Sequence, residues 1–353
     1  MEFYKDTPQR KPVPTGLSPF EPKLDVEYTW ANRRSCGRAA TLVILGGQRK
    51  RLRVGLATTV TDCAMFEAIH RLGSRIRHTP FLARQRWLWM TVEPLWQHAF
   101  RRLSAARGYP ARINNDVFRL VYDYGSRYDR EDQQMYESVV YRALVDSVRE
   151  GMTVCDIGAH VGLLTLAAAK RVGATGHVFA FEPAPEALAT LQRHIRFNGY
   201  GDRAEAIGSV VSDTDGVVPF YVYRDSMSAS LGRTNLDVLS PQRRSDPLLK
   251  AVEVRVPSVT LDRFCKDRDV KPDILKIDVE GAELRVLRGA RDLLLRKRIV
   301  VLCEIHPQQM ENCGSTLAEF KAFLQSVGYT IEPLDAPNPE GIYHSRLTRP
   351  LMH

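Results

Sequence analysis

The chain has 353 residues, 44% of them hydrophobic and 26% charged, with a formal net charge of +9. That composition is of an ordinary soluble globular protein, and the length suits one large domain with an extension, or two domains. No stretch approaches the roughly 18 apolar residues of a membrane span, and the six cysteines contain no C-x-x-C pair, so free buried thiols are expected rather than a disulfide scaffold.

Residues 1 to about 35 are rich in Pro and charge and are expected to be poorly ordered. The opening Met1-Glu2-Phe3-Tyr4-Lys5-Asp6 has no apolar core of signal-peptide length, which points to the cytoplasm. From Ala39 to Ile44 runs one apolar segment, broken by Gly46-Gly47 and the basic cluster Arg49-Lys50-Arg51-Arg53. Residues 1–110 hold 19 Lys and Arg against 8 Asp and Glu, leaving 31 against 33 in the remainder, so the basic character belongs to the N-terminal third alone. All four tryptophans fall there too. A helix is predicted between Leu82 and Leu103, with Leu88, Val92, Leu95 or Trp96, Phe100 and Leu103 near one face. Such a helix either packs on the neighbouring domain, the simpler reading, or lies against a membrane surface or an acidic partner. No recognised nucleic-acid module accompanies the basic cluster, so no nucleic-acid partner is expected. The sequence thus divides into an extension, 1–110, and a catalytic domain, 111–353.

From Asp116 the pattern becomes regular. Val117 to Tyr122 alternates as a strand, and Asp132 to Val148 has helical periodicity. Next come a strand Thr153 to Ile157, a helix Leu163 to Val172, a strand His177 to Glu182 and a helix Pro185 to Asn198. Ala204 to Val211 reads as strand three and Val217 to Tyr223 as an added strand after Asp215-Gly216. The polar stretch Asp225 to Asp246 reads as a substrate-side insertion or lid. Ile274 to Val279 is strand four, Ala282 to Arg296 its helix, and Ile299 to Ile305 strand five. A helix from Leu317 to Val327 precedes Tyr329 to Glu332 and a last strand near Ile342 to His344. This alternation predicts a Rossmann-like α/β fold, a mostly parallel doubly wound sheet with helices on both faces. In such sheets ligands sit beyond the carboxyl ends of the strands, where strand order reverses. Asp156, Glu182, Asp278 and Glu304 all fall at such ends and should converge on one cleft.

The run Val154-Cys155-Asp156-Ile157-Gly158-Ala159-His160-Val161-Gly162, followed by Glu182, is a strand, a glycine turn, a helix and an acid closing the next strand. This is how a doubly wound sheet holds a nucleoside-bearing cofactor. Dinucleotide binders use G-x-G-x-x-G to approach a pyrophosphate, whereas here the middle glycine is absent and Asp156 would repel phosphates. S-adenosylmethionine (SAM) carries a cationic amino acid moiety suited to Asp156 and ribose hydroxyls suited to Glu182. The plainer alternative is that Gly158 and Gly162 only permit a tight turn.

A second segment, Asp273-Ile274-Leu275-Lys276-Ile277-Asp278-Val279-Glu280-Gly281-Ala282-Glu283, runs from an apolar strand into a helix, and Val300 to Pro307 is a further strand ending in Glu304-Ile305-His306. With Val259-Thr260-Leu261-Asp262, these segments resemble the FkbM-type family of SAM-dependent methyltransferases over roughly residues 112–345. His160 departs from the family, which more often has Asn there. The resemblance implies a class I SAM methyltransferase fold with an antiparallel last strand, and O-methylation of a hydroxyl on a sugar, glycolipid or polyketide-like small molecule. Cofactor contacts are expected from Asp156, Gly158, Ala159, His160, Gly162 and Glu182. The segment Ile277-Asp278-Val279-Glu280 lacks the Asn/Asp-Pro-Pro-aromatic motif common in amino-group methyltransferases. An alcohol acceptor needs a base within hydrogen-bond reach, for which Asp278 and His306 are candidates beside Glu304. Asp278 could instead cap the following helix, and His306 could be an ordinary polar strand end. A divalent ion held by Asp278, Glu304 and His306 is chemically open, though no metal is assigned. The other classes considered are a nicotinamide-dependent oxidoreductase and a non-catalytic adaptor that keeps the fold.

Overall fold

A computed structural model describes residues 42–45, 48–51, 86–128, 137–223, 229–230 and 251–350. They fall into two units, divided between Thr79 and Pro80, and each is taken by itself. In the first, the apolar run and basic cluster form an antiparallel hairpin of β1 (Leu42–Leu45) and β2 (Gln48–Arg51). The expectations for residues 1–35 and most of 225–246 lie outside the described residues.

The second unit opens with helix α1 (Arg86–Ser104) and a hairpin of β3 (Tyr109–Ile113) and β4 (Asp116–Leu120). The inward face of α1 differs from the one predicted. Phe100 and Ser104 are buried and Trp96 partly so, an i, i+4 stripe, while Leu95 and Leu103 lie in water. A short helix α2 (Tyr122–Gly125) follows, then α3 (Ser138–Ser147). The core units are β5 (Thr153–Ile157), α4 (Leu163–Val172), β6 (His177–Phe181), α5 (Pro185–Phe197) and β7 (Ala204–Ile207). Then come β8 (Val210–Val211), β9 (Gly216–Tyr223), β10 (Ala229–Ser230), β11 (Ala251–Val259) and α6 (Leu261–Asp267). The chain continues with β12 (Ile274–Ile277), α7 (Glu283–Arg288), α8 (Arg291–Arg296) and β13 (Val300–Ile305). It closes with α9 (Pro307–Asn312), α10 (Leu317–Ser326), β14 (Thr330–Pro333) and β15 (Tyr343–Thr348).

Seven strands form the central sheet in the order β14-β15-β13-β12-β5-β6-β7, parallel except for β15, which runs antiparallel to both neighbours. Strand order reverses between β5 and β12. These two are buried along nearly their whole length, as strands covered on both faces must be. Ile157, Phe181, Ile274, Leu166 and Leu191 are among the largest fully buried side chains.

Four sequence expectations need correction. Strand three is two pieces, since β7 ends at Ile207 and β8 pairs in parallel with β11 in a second sheet, β10-β9-β11-β8. Strand β11 itself was not anticipated, although Val252, Val254 and Val256 alternate with Glu253 and Arg255. Strand four stops at Ile277, because Glu280 and Gly281 take positive φ values of 52° and 103° that no strand accommodates. The helix after it breaks at Gly289, where a Cβ would stand 2.0 Å from the Ser212 carbonyl oxygen. Among the described residues no helix is long and apolar enough to cross a membrane.

Candidate active site

The cofactor loop is shaped by contacts only glycine permits. Gly158 has φ 76°, and a Cβ there would lie 1.7 Å from the carbonyl oxygen of Asp278. The ends of β5 and β12 therefore touch backbone to backbone at the point where strand order reverses. The amides of Gly158 and Ala159 both donate to the Phe181 carbonyl at 3.0 Å, and Asp278 N–H donates to the Ile157 carbonyl at 3.0 Å. Gly162, φ 87°, starts α4.

Glu182, 6% exposed, leaves the end of β6 and folds back on this loop. Its Oε2 accepts from the His160 amide and its Oε1 from the Ala184 amide, each at 2.8 Å. Burial pushes its carboxyl up to about 7, against those two hydrogen bonds. His160 meets Glu182 through its backbone, so this contact does not depend on whether His or Asn stands there; its ring lies edge-on to Tyr124 at 6.5 Å. Burial, then Lys276, hold the His160 imidazole below its ordinary pKa.

Asp156 is 2% exposed and mostly committed within the protein. Oδ2 accepts from the Thr165 hydroxyl at 2.5 Å, and Oδ1, which has no hydrogen bond, lies 3.4 Å from the Lys276 ammonium. Lys276 is the residue the sequence did not assign. Buried at the centre of the sheet, its Nζ donates to the Gly158 carbonyl at 2.9 Å and to Asp278 Oδ2 at 3.4 Å. Burial opposes its charge, yet Asp156 and Asp278 outweigh burial and raise its pKa. One ammonium thus spans both sides of the switch point.

Beyond β12 and β13 lies a cluster of charged groups. The helix after Asp278 begins only at Glu283, so Asp278 does not cap it. Burial raises the Asp278 pKa, but Lys276 and His306 more than reverse that and hold it below the usual carboxylate range. His306 is 2% exposed, and its Nδ1–H donates at 2.7 Å to Oε1 of Glu283, a carboxylate with no exposure at all. Its Nε2 lies 3.7 Å from Glu304 Oε1 and 3.8 Å from Glu280 Oε2. Burial depresses this imidazole, and the Glu283 hydrogen bond with the surrounding carboxylates carries it instead up to about 10. Burial, with Asp278 nearby, lifts Glu304 to about 7. Antiparallel pairing of β15 with β13 sets His344 opposite Glu304, its Nε2 3.7 Å from Glu304 Oε2 and its Nδ1–H donating to Asp335 Oδ2 at 2.6 Å. Glu283, Asp335 and His344 were not singled out from sequence. His344 lies forty positions after Glu304, and no local pattern signals that register.

All nine sequence-predicted site residues therefore lie at one end of the central sheet. Asp156, Gly158, Ala159, His160, Gly162 and Glu182 stand in or just after the last residues of β5 and β6, and Asp278, Glu304 and His306 in or just after those of β12 and β13. An α/β sheet with this strand order, and a glycine turn plus acid at its switch point, defines a nucleoside-cofactor enzyme class. A family model described as the methyltransferase FkbM domain matches residues 156–331. The chain belongs to the FkbM-type family of SAM-dependent methyltransferases, which sets aside the oxidoreductase and adaptor readings.

Among its relatives, "Methyltransferase 1" of Beauveria bassiana is 28% identical over 188 residues, covering 50% of this chain and 72% of that protein. The 31-O-demethyl-FK506 methyltransferase FkbM of Streptomyces tacrolimicus is 29% identical over 203 residues, 52% of this chain and 75% of that one. The hexuronic acid methyltransferase AglP of Haloferax volcanii is 27% identical over 173 residues, 48% of this chain and 62% of that one.

Proposed function

We propose that this protein methylates a hydroxyl group of a small molecule, with SAM bound over β5 and β6 and the acceptor over β12 and β13. The observation that carries this reading is the division at the switch point. One side offers a glycine turn with a single satisfied carboxylate, and the other offers a group of acids and imidazoles around a solvent-reaching Asp278. The residues fit SAM. Each Glu182 oxygen accepts only one amide, leaving a lone pair for a ribose hydroxyl, and Asp156, whose Oδ1 already faces the Lys276 ammonium at 3.4 Å, can act on a cationic amino group only through its charge beside the loop. When bound, SAM supplies a sulfonium-borne methyl group whose carbon an oxygen nucleophile can attack while the C–S electron pair returns to sulfur and S-adenosylhomocysteine leaves.

The chain's own residues align and deprotonate the acceptor. Positioning of two reactants in attack geometry is worth about 7 to 11 kcal/mol. Asp278, with 23% of its side chain exposed and Lys276 holding it ionised, receives the hydroxyl proton. His306 is enclosed and anchored to Glu283, so it works from behind Asp278 and Glu304. The two relatives named for their substrates act on FK506 lacking its 31-O-methyl group and on a hexuronic acid. Hydroxylated sugars, glycolipids and polyketide-like molecules are therefore the acceptor class, met in the cytoplasm by a domain that begins near residue 111.

Calorimetric titration with SAM, S-adenosylhomocysteine and NAD tests the cofactor. Binding of the first two alone is expected; binding of NAD alone would overturn the assignment. Mass-spectrometric detection of a 14 Da gain, in a screen of uronic acids, glycolipids and hydroxylated macrolides, then identifies the acceptor.

A further inference from the structure

We propose that Asp278, Glu304, His306 and His344 bind one divalent transition-metal ion at the ends of β12, β13 and β15. The role given to that ion below rests on the methyl-transfer reading, whereas the site rests on geometry alone.

Three of these residues can present one ligand atom each within 4.8 Å of one another. The fourth, His344, adds an imidazole nitrogen 3.7 Å from Glu304, the same separation that Glu304 keeps from His306. Neighbouring ligands on an octahedral ion lie about 3 Å apart and opposite ones about 4.2 Å, from metal–ligand distances near 2.1 Å. Movements of about 1 Å would therefore bring Asp278, Glu304 and His306 onto one ion, with His344 beside Glu304 as a fourth donor.

Two further observations point to a ligand. The first is that both inward nitrogens lack hydrogen bonds. His306 is 2% exposed and its Nε2 has only the long ion-pair contacts to Glu280 and Glu304; His344 Nε2 is fully buried and has no hydrogen-bond partner among the described residues. A buried imidazole nitrogen left open costs on the order of 1 to 3 kcal/mol unless something occupies it. The second is that each imidazole is held from behind by a carboxylate, His306 by Glu283 and His344 by Asp335. Metal-binding histidines are almost always anchored this way, and a bound ion would take the place of the proton that His306 Nε2 otherwise carries among its carboxylates. Two independent pairs of this kind, both aimed at Glu304, are not what charge balance alone requires.

Two imidazoles and two carboxylates suit Mn²⁺, Fe²⁺, Co²⁺ or Zn²⁺ better than Ca²⁺, which prefers an all-oxygen set. The chemical use is direct. An aliphatic hydroxyl is a far weaker acid than a carboxylic acid, so a lone carboxylate removes its proton poorly. A cation that coordinates the hydroxyl oxygen makes it more acidic, as bound water falls from 15.7 to about 7 on zinc. With such an ion bound, the hydroxyl proton would pass to the Asp278 oxygen that does not face the ion, the hydroxyl oxygen would form the bond to the methyl carbon, and the C–S pair would stay on sulfur.

The full chain, stripped with chelator, is titrated with Mn²⁺, Co²⁺ and Zn²⁺, and Co²⁺ binding is followed by its visible absorption. One ion per chain is expected, with affinity falling at least a hundredfold in His306→Ala and His344→Ala, and about tenfold or more in Asp335→Asn. Should either alanine variant fail to fold, judged by its thermal transition, Asp335→Asn and Glu304→Gln carry the comparison. No stoichiometric binding, or binding unchanged in the folded variants, overturns the site. SAM affinity measured on the same stripped protein separates the two readings. A protein that binds SAM but takes up no metal on titration would refute this site and leave the methyltransferase assignment standing, while one that binds metal but not SAM would do the reverse.

Discussion

The two sides of the switch point are built on opposite principles. The side beyond β5 and β6 is made of backbone. Gly158 touches Asp278 through main-chain atoms, two amides meet one carbonyl, and the acid Glu182 is satisfied by two further amides. The side beyond β12 and β13 is made of side chains, Glu280, Glu283, Glu304, His306 and His344, packed so that Glu283 Oε2 and His344 Nε2 are buried without a hydrogen bond. Backbone contacts fix one geometry whatever the side chains are, whereas a cluster of acids and imidazoles depends on each residue's identity. Lys276 is a side chain that contacts both, through the Gly158 carbonyl and Asp156 on one side and Asp278 on the other.

The largest expected effect separates the two sides. Asp278→Asn should lower kcat by about a hundredfold or more with SAM affinity little changed, because a positioned base contributes about 10² to 10⁴. If SAM affinity falls and kcat survives, Asp278 belongs to the cofactor side and the division is wrong.

Next comes His194, which braces the backbone-built side. Its Nδ1–H donates to the Val161 carbonyl at 2.7 Å and its Nε2 accepts from the Val121 amide at 2.9 Å. Burial, only partly offset by the Val161 hydrogen bond, depresses this imidazole from 6.5 to about 4. The unfolded chain therefore binds the proton first, and stability present above pH 6.5 is lost as pH falls towards 4, by about 3 kcal/mol. Denaturant midpoints across that range should decline in the parent chain and decline less in His194→Gln. Parallel slopes would show that His194 does not stay neutral in the fold.

Smaller still, Glu182→Ala should weaken SAM binding by about 1.5 to 3 kcal/mol, the range for hydrogen bonds to a charged group. An unchanged dissociation constant with the fold intact by circular dichroism would remove Glu182 from the cofactor side. The smallest effect tests what lies outside both. Deleting residues 1–75 should leave SAM affinity nearly unchanged, and its loss from a folded truncation would show that the extension contributes to the site.

The unequal legibility of the sequence follows the same division. Strands β5 and β6 were readable nearly to the residue, because a buried parallel strand is a bare apolar run and the glycine turn bounds it. The residues proposed to hold the cofactor could be brought together for the same reason, as their spacing is local. Gly289 hid a helix break, since what forbids a side chain there is Ser212, far along the chain. The strand at Val252 to Val256 was overlooked although its alternation is plain in the sequence. On the acceptor side Asp278, Glu304 and His306 were legible as polar strand ends, but Glu283 reads as one more helix-surface acid until packing buries it. The burial of Lys276 likewise comes from strands on either side, and His344 becomes a neighbour of Glu304 only through antiparallel register.

The position of β15 has a consequence for how the molecule comes into being. It is threaded between β13 and β14, and β14 has no other partner in the sheet. A chain emerging from its N-terminus can complete β5, β6 and the glycine loop early, but Glu304 must wait forty residues for His344. The last strand to arrive is thus the one that finishes the acceptor side. On the division proposed above, a chain that stops short of it lacks His344 beside Glu304, so the acceptor side is complete only once the end of the sheet has been made.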